Sequence, residues 1–120
     1  MKRTVFVRFE LSKHLGVVAP LARFWLDRNH DGHLVDDEEI PLQAEGLVFS
    51  GSSEVEAASL DGTAFRLSYL ASTGARWTLE VTSPDEGQEG PGGPVLYKAT
   101  GIVGAPKDWL MGGLSWKEPA

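Results

Sequence analysis

The chain has 120 residues, no cysteine and a formal charge of −6, which leaves room for one domain with its own core and excludes disulfides and thiolate metal sites. Hydrophobic residues make up 42% and charged residues 23%, a globular balance, and no apolar run reaches the roughly 18 residues that cross a bilayer. With acids in excess and no basic stripe, nucleic acid is a poor partner, because phosphate neutralisation by Lys and Arg supplies most of that affinity.

The opening M-K-R-T-V-F-V-R-F-E-L alternates apolar and charged residues. Arg8 and Glu10 interrupt any signal-peptide apolar region, so no export signal is read. Instead Val5, Val7, Phe9 and Leu11 share one face of a first strand. Val17 to Leu26 is predicted as a second strand, with Pro20 marking an edge or a bulge. Asp61-Gly62 is a hairpin signal expected to join 53–60 to 63–70, and Thr73-Gly74 a turn into 75–82. Phe65, Leu67, Tyr69 and Ala71 alternate along the first of these strands, Trp77, Leu79 and Val81 along the next, so the middle of the chain is expected to be an antiparallel meander. The segment S-P-D-E-G-Q-E-G-P-G-G-P, residues 83–94, has no large apolar side chain and is predicted as a loop. Val95 to Val103 is a further strand. The expectation is an all-β chain of seven or eight antiparallel strands, residues 1–120 forming one domain.

The acidity is local. Asp27 to Glu39 holds six acids and one arginine, leaving eleven acids against ten bases elsewhere. Aligned on Asp27, the stretch D-R-N-H-D-G-H-L-V-D-D-E supplies Asp27 at position 1, Asn29 at 3, Asp31 at 5, Gly32 at 6, the His33 carbonyl at 7 and Glu38 at 12, the D-x-[DN]-x-[DN]-G-x5-E calcium pattern without a mismatch. Carboxylate and amide oxygens suit a hard cation, glycine makes the sharp turn around it, and the terminal Glu can donate two oxygens. Val35 at position 9 has no side-chain oxygen, leaving that place to a water. Phe24, Trp25 and Leu26 before the loop read as strand, and Ile40-Pro41 stops any exit helix. A helix-opening sensor is therefore not expected. His30 and His33 stand three apart, but zinc prefers tetrahedral imidazole or thiolate ligands, and calcium fits the oxygen donors better.

F-W-L-D-R-N-H-D-G-H-L-V-D-D-E-E-I-P-L, residues 24–42, together with D-G-T-A-F-R-L-S-Y-L-A-S-T-G-A-R-W-T-L-E-V, residues 61–81, resembles the calcium segment and hairpin of SdrD B-like domains of bacterial surface proteins. The resemblance implies a prealbumin-like, Greek-key β-sandwich with a calcium loop between strands, with Asp27, Asn29, Asp31, His33 by its carbonyl, and Glu38 as ligands. It also implies an extracellular structural role; with no export signal read, a virion or appendage subunit, a cytoplasmic protein and a domain cut from a longer exported chain stay open beside it.

No nucleophile motif is present and His14 is remote from the other histidines, so no catalytic residue is assigned and a non-enzymatic protein is expected. The competing reading is a module that binds a glycan or a protein through the 83–94 loop or through the tail W-L-M-G-G-L-S-W, Trp109 to Trp116. Trp25 and Trp77, in alternating strands, are expected in the core.

Overall fold

The computed structural model describes residues 2–13, 20–27, 38–84 and 93–116. Nine strands lie in this part of the chain: β1 (Lys2–Leu11), β2 (Leu21–Leu26), β3 (Glu39–Ile40), β4 (Gln43–Glu45), β5 (Val48–Glu56), β6 (Ala64–Leu70), β7 (Arg76–Thr82), β8 (Val95–Ile102) and β9 (Lys107–Gly113). They form two antiparallel sheets in a sandwich-like arrangement, one in the order β4-β5-β1-β7-β8 and the other β3-β2-β6-β9. The surplus over the expected seven or eight comes from β3 and β4, of two and three residues, too short to leave an alternating pattern. Of the predicted strand 17–26, residues 21–26 are strand and 17–19 lie outside the described residues; Pro20 immediately precedes the strand, where its missing N–H removes no ladder bond.

Alternation builds the core as expected. Val5, Val7 and Phe9 of β1 and Leu79 and Val81 of β7 are fully buried from the five-stranded sheet, and Phe24, Leu26, Phe65 and Leu67 meet them from the other. Phe24 and Phe65 stack on neighbouring strands at 5.3 Å, and Phe9 stacks on Tyr69 across the two sheets at 5.5 Å. The first strand is central, flanked by β5 with Phe9↔Phe49 in register and by β7 with Phe9↔Leu79.

The meander expected in the middle of the chain does not form. β5 and β6 lie in different sheets, as do β6 and β7. At 57–59 the chain makes a 3₁₀ turn that drops Leu60 into the core, with the Leu60 N–H bonded to the Ala57 carbonyl at 3.2 Å and Thr63 to Leu60 at 3.2 Å. Gly62, at φ 79°, then redirects the chain into the other sheet, its N–H bonded to the Leu114 carbonyl at 2.8 Å. A buried leucine before the turn residues makes this a crossing between layers, whereas a hairpin would have continued the ladder. The paired hairpin in this half is β7–β8, joined across residues 83–94.

After β9 the chain ties the layers together. Leu114 N–H bonds the Thr63 carbonyl at 2.9 Å, Ser115 N–H bonds the Leu96 carbonyl of β8 at 2.9 Å, and Trp116 N–H bonds the Asp61 carboxylate at 3.0 Å. Arg3 lies 4.8 Å over the Trp116 ring and donates to the Ser83 hydroxyl at 3.1 Å and carbonyl at 3.0 Å. Trp116 is thereby buried.

Candidate functional site

The acidic loop sits at the end of a short hairpin. β2 and β3 pair antiparallel through Phe24↔Ile40 and Trp25↔Glu39, so the strands leave off with Leu26 on one side and Glu38 on the other. Asp27 continues the ladder on the far side of β2, its N–H donating to the Ala64 carbonyl of β6 at 2.9 Å. The consequence for the motif is direct: positions 1 and 12, separated by ten residues in sequence, are brought to the same mouth. Both carboxylate residues, Asp27 and Glu38, are 5% exposed. Among the described residues they belong to a short list of buried polar side chains that includes Thr63, the residue just before β6.

What holds the second foot in place is a close backbone approach. Pro41 follows β3 directly and carries the chain over to the five-stranded sheet, where it passes against Gly51 of β5. A Cβ on Gly51 would stand 2.1 Å from the Pro41 carbonyl oxygen, so only glycine lets the crossing come this near. On the outer side of the hairpin Glu39 receives both arms of Arg23, Nε to Oε2 at 3.0 Å and Nη2 to Oε1 at 2.8 Å. This hydrogen-bonded guanidinium holds the Glu39 carboxyl below its ordinary range against a smaller opposing effect of burial.

Asn29, Asp31 and His33 lie outside the described residues, as do the rest of 28–37. Of the five expected ligands the structure therefore describes two, both buried where the β2–β3 pairing ends. Among the described residues no group of three His, Cys, Asp or Glu side chains forms a metal cluster. The donor set fits a hard cation: two carboxylates already withdrawn from water at the ends of a stretch whose sequence offers further oxygen donors and no thiolate.

The tail and loop of the competing reading separate in the structure. Trp116 is buried, whereas Trp109 is 57% exposed on the outer face of the four-stranded sheet; residues 85–92 of the 83–94 loop lie outside the described residues. Trp77 packs against the core, 6.3 Å from Phe9, as expected. Trp25 does not: it alternates outward with Leu21 and Arg23, and the Arg23 guanidinium covers its ring at 4.8 Å. The expectation of a core Trp25 followed its apolar character and overrode its phase. Reading L-A-R-F-W-L strictly by period two sets Trp25 with Arg23, and the same phase in β6 and β9 exposes Arg66 and Trp109. That signal would have found this face.

Among the described residues no helix is long and apolar enough to cross a membrane. No protein-family model matches the chain, and no match was found among curated proteins or solved structures.

Proposed function

We propose that this chain is a non-enzymatic β-sandwich whose Asp27–Glu38 loop holds one structural calcium ion, within an extracellular or virion-type assembly. The observation that carries the reading is the β2–β3 hairpin, which brings the residues at positions 1 and 12 of a complete calcium pattern to one mouth, both nearly buried. Asp27 is anchored from β6 through its backbone, and Glu38 leads directly into β3 and the Pro41 crossing, so the two carboxylate residues sit at the ends of paired strands. Asn29, Asp31 and the His33 carbonyl are the further donors assigned by the spacing. Bound calcium supplies the positive charge that a loop with five acids and one arginine lacks. The same reading takes the sandwich as Greek-key and prealbumin-like, of the SdrD B-like type, supported by the loop motif lying between strands. Cation neutralisation at a strand junction stiffens a domain and asks for no moving helix, which is why a structural role is favoured over a sensor.

Thermal melting tests this. A ligand bound only by the folded state, at 100 times its dissociation constant, adds about 2.7 kcal/mol, which for a domain of this size raises Tm by roughly 10 °C. Chelator should lower the midpoint and added calcium restore it, with magnesium much less effective. An unchanged midpoint across that titration would refute the assignment.

A further inference from the structure

The outer face of the four-stranded sheet carries an ordered array of aromatic and cationic side chains. Register places Glu39, Trp25, Arg66 and Met111 in one row across the four strands, Arg23, Ser68 and Trp109 in the next, and Leu21, Leu70 and Lys107 in the third. The Arg66 guanidinium lies 5.5 Å from the Trp109 ring and 5.8 Å from the Trp25 ring, held between two indoles. Leu21, Trp109 and Met111 are each more than half exposed. Along this face runs a groove of about 470 Å³ lined by Leu21, Trp25, Arg66, Ser68, Lys107 and Trp109 among others.

Charge selects the occupant. The chain as a whole is at −6, yet here Arg66 and Lys107 have no carboxylate in ion-pair contact among the described residues, while Arg23 is committed to Glu39. The one acid lining the groove among the described residues, Asp108, accepts the Trp109 backbone N–H on its Oδ1 at 2.8 Å. Stacking on indoles uses the faces of a guanidinium and leaves its N–H edges to point outward, where a carboxylate is the acceptor that fits them best. Strand addition at the β9 edge is discouraged, since Lys107 sits on that edge and the Trp109 N–H is already taken by Asp108. A partner therefore meets the face. A second copy docked face to face would set Arg66 against a like charge, and a neutral glycan would leave the guanidinium edges without a charged acceptor.

We propose that this face is a docking groove for an acidic peptide segment of a partner protein, with one carboxylate on Arg66, a second near Lys107, and an apolar residue between them against Trp109. The guanidinium and both indoles are positioned before the partner arrives, which lowers the ordering cost of binding, and Trp and Arg are the residues that dominate interface energetics. The groove shares β2 with the acidic loop but uses none of the proposed calcium ligands.

Selection of a random-peptide library on the calcium-loaded protein, with Arg66→Gln and Lys107→Glu as counter-targets, tests this. Enriched peptides should carry net negative charge despite the acidity of the protein itself. A synthetic copy of the best of them should quench tryptophan fluorescence, with affinity falling about tenfold or more in Arg66→Gln, as for loss of a charge-assisted hydrogen bond, and falling also in Lys107→Glu, which leaves the Trp25–Arg66–Trp109 stack in place. Both variants should melt like the parent. Enrichment of neutral or basic peptides, no enrichment, or parent-like affinity in either variant would overturn the proposal. Binding on a glycan array that Arg66→Gln abolishes, without acidic-peptide enrichment, would assign the face to carbohydrate instead, and concentration-dependent self-association lost in Arg66→Gln would assign it to a second copy.

Discussion

Glu38 closes the acidic loop at position 12, where a carboxylate can offer both oxygens to a cation, and like Asp27 it is withdrawn from water. Asp37, one position earlier, falls on a place that the pattern does not use as a ligand. Glu38→Gln should therefore weaken calcium binding by more than about tenfold, ~1.4 kcal/mol, whereas Asp37→Asn, which changes only outer charge, should cost less than about threefold. Calorimetric titration of the two variants measures this, and equal losses would place the register of the loop elsewhere. The Gln variant also relieves repulsion within the acidic stretch, so its stability in chelator should not fall. A second titratable group speaks to pH. Burial, with the nearby Asp108 carboxylate adding to it, raises the Tyr69 phenol above its ordinary range. A raised acid favours its neutral form in the fold, so this contribution is fully present below the unfolded value of about 10 and is lost as pH rises through the folded value. Denaturant unfolding between neutral and strongly alkaline pH should show less loss of stability in Tyr69→Phe than in the parent. Both side chains were assigned from sequence, Glu38 by motif spacing and Tyr69 by alternation, because each depends on a local pattern. The Arg66 stack was not: it joins β2, β6 and β9, and no local window contains its three members.

The β2–β3 hairpin is the element on which the proposed site depends, and Gly51 is its most exposed weakness. Gly51→Ala puts a methyl group where the Pro41 carbonyl now lies, and two backbone segments must part to admit it. Overpacking of this kind costs about 2 kcal/mol, and because Pro41 follows β3 the displacement should reach Glu38. The variant should unfold at lower urea with an unchanged m-value, and its calcium affinity should fall as well. Parent-like stability would mean that the crossing at Pro41 is loosely held. Elements also show where sequence reading stops. The alternation in β1, β6 and β7 was plain because each strand has one face against the core. Which strand pairs with which was not, since Asp61-Gly62 and Thr73-Gly74 punctuate the chain in the same way whether it folds back within a sheet or passes to the other layer. Leu60 decides the first case by burial, a property of the finished sandwich.

At the scale of the whole molecule the sandwich is closed from its two ends of chain: β1 lies at the centre of one sheet, and the segment after β9 bonds to β8, to the turn at Asp61 and to Arg3. Most pairing is between strands far apart in sequence, such as β1 with β5 and with β7, and a fold of this kind assembles slowly. The β2–β3 hairpin has a particular place in that assembly. Its ladder has two residue pairs, and closing a loop of about twelve residues costs roughly 2 kcal/mol of chain entropy, more than so short a ladder returns before the rest of the sandwich exists. Its mouth should thus form after the rate-limiting step, on the native side of the barrier. Calcium would then act as a latch, with no part in nucleation: in stopped-flow measurements it should slow unfolding in proportion to the stability it adds and leave the refolding rate unchanged. Faster refolding in calcium would instead put the hairpin in the transition state. With calcium as the proposed latch, the protein would owe its lifetime to the ion, and in a calcium-poor setting it would still fold at its usual speed but come apart sooner.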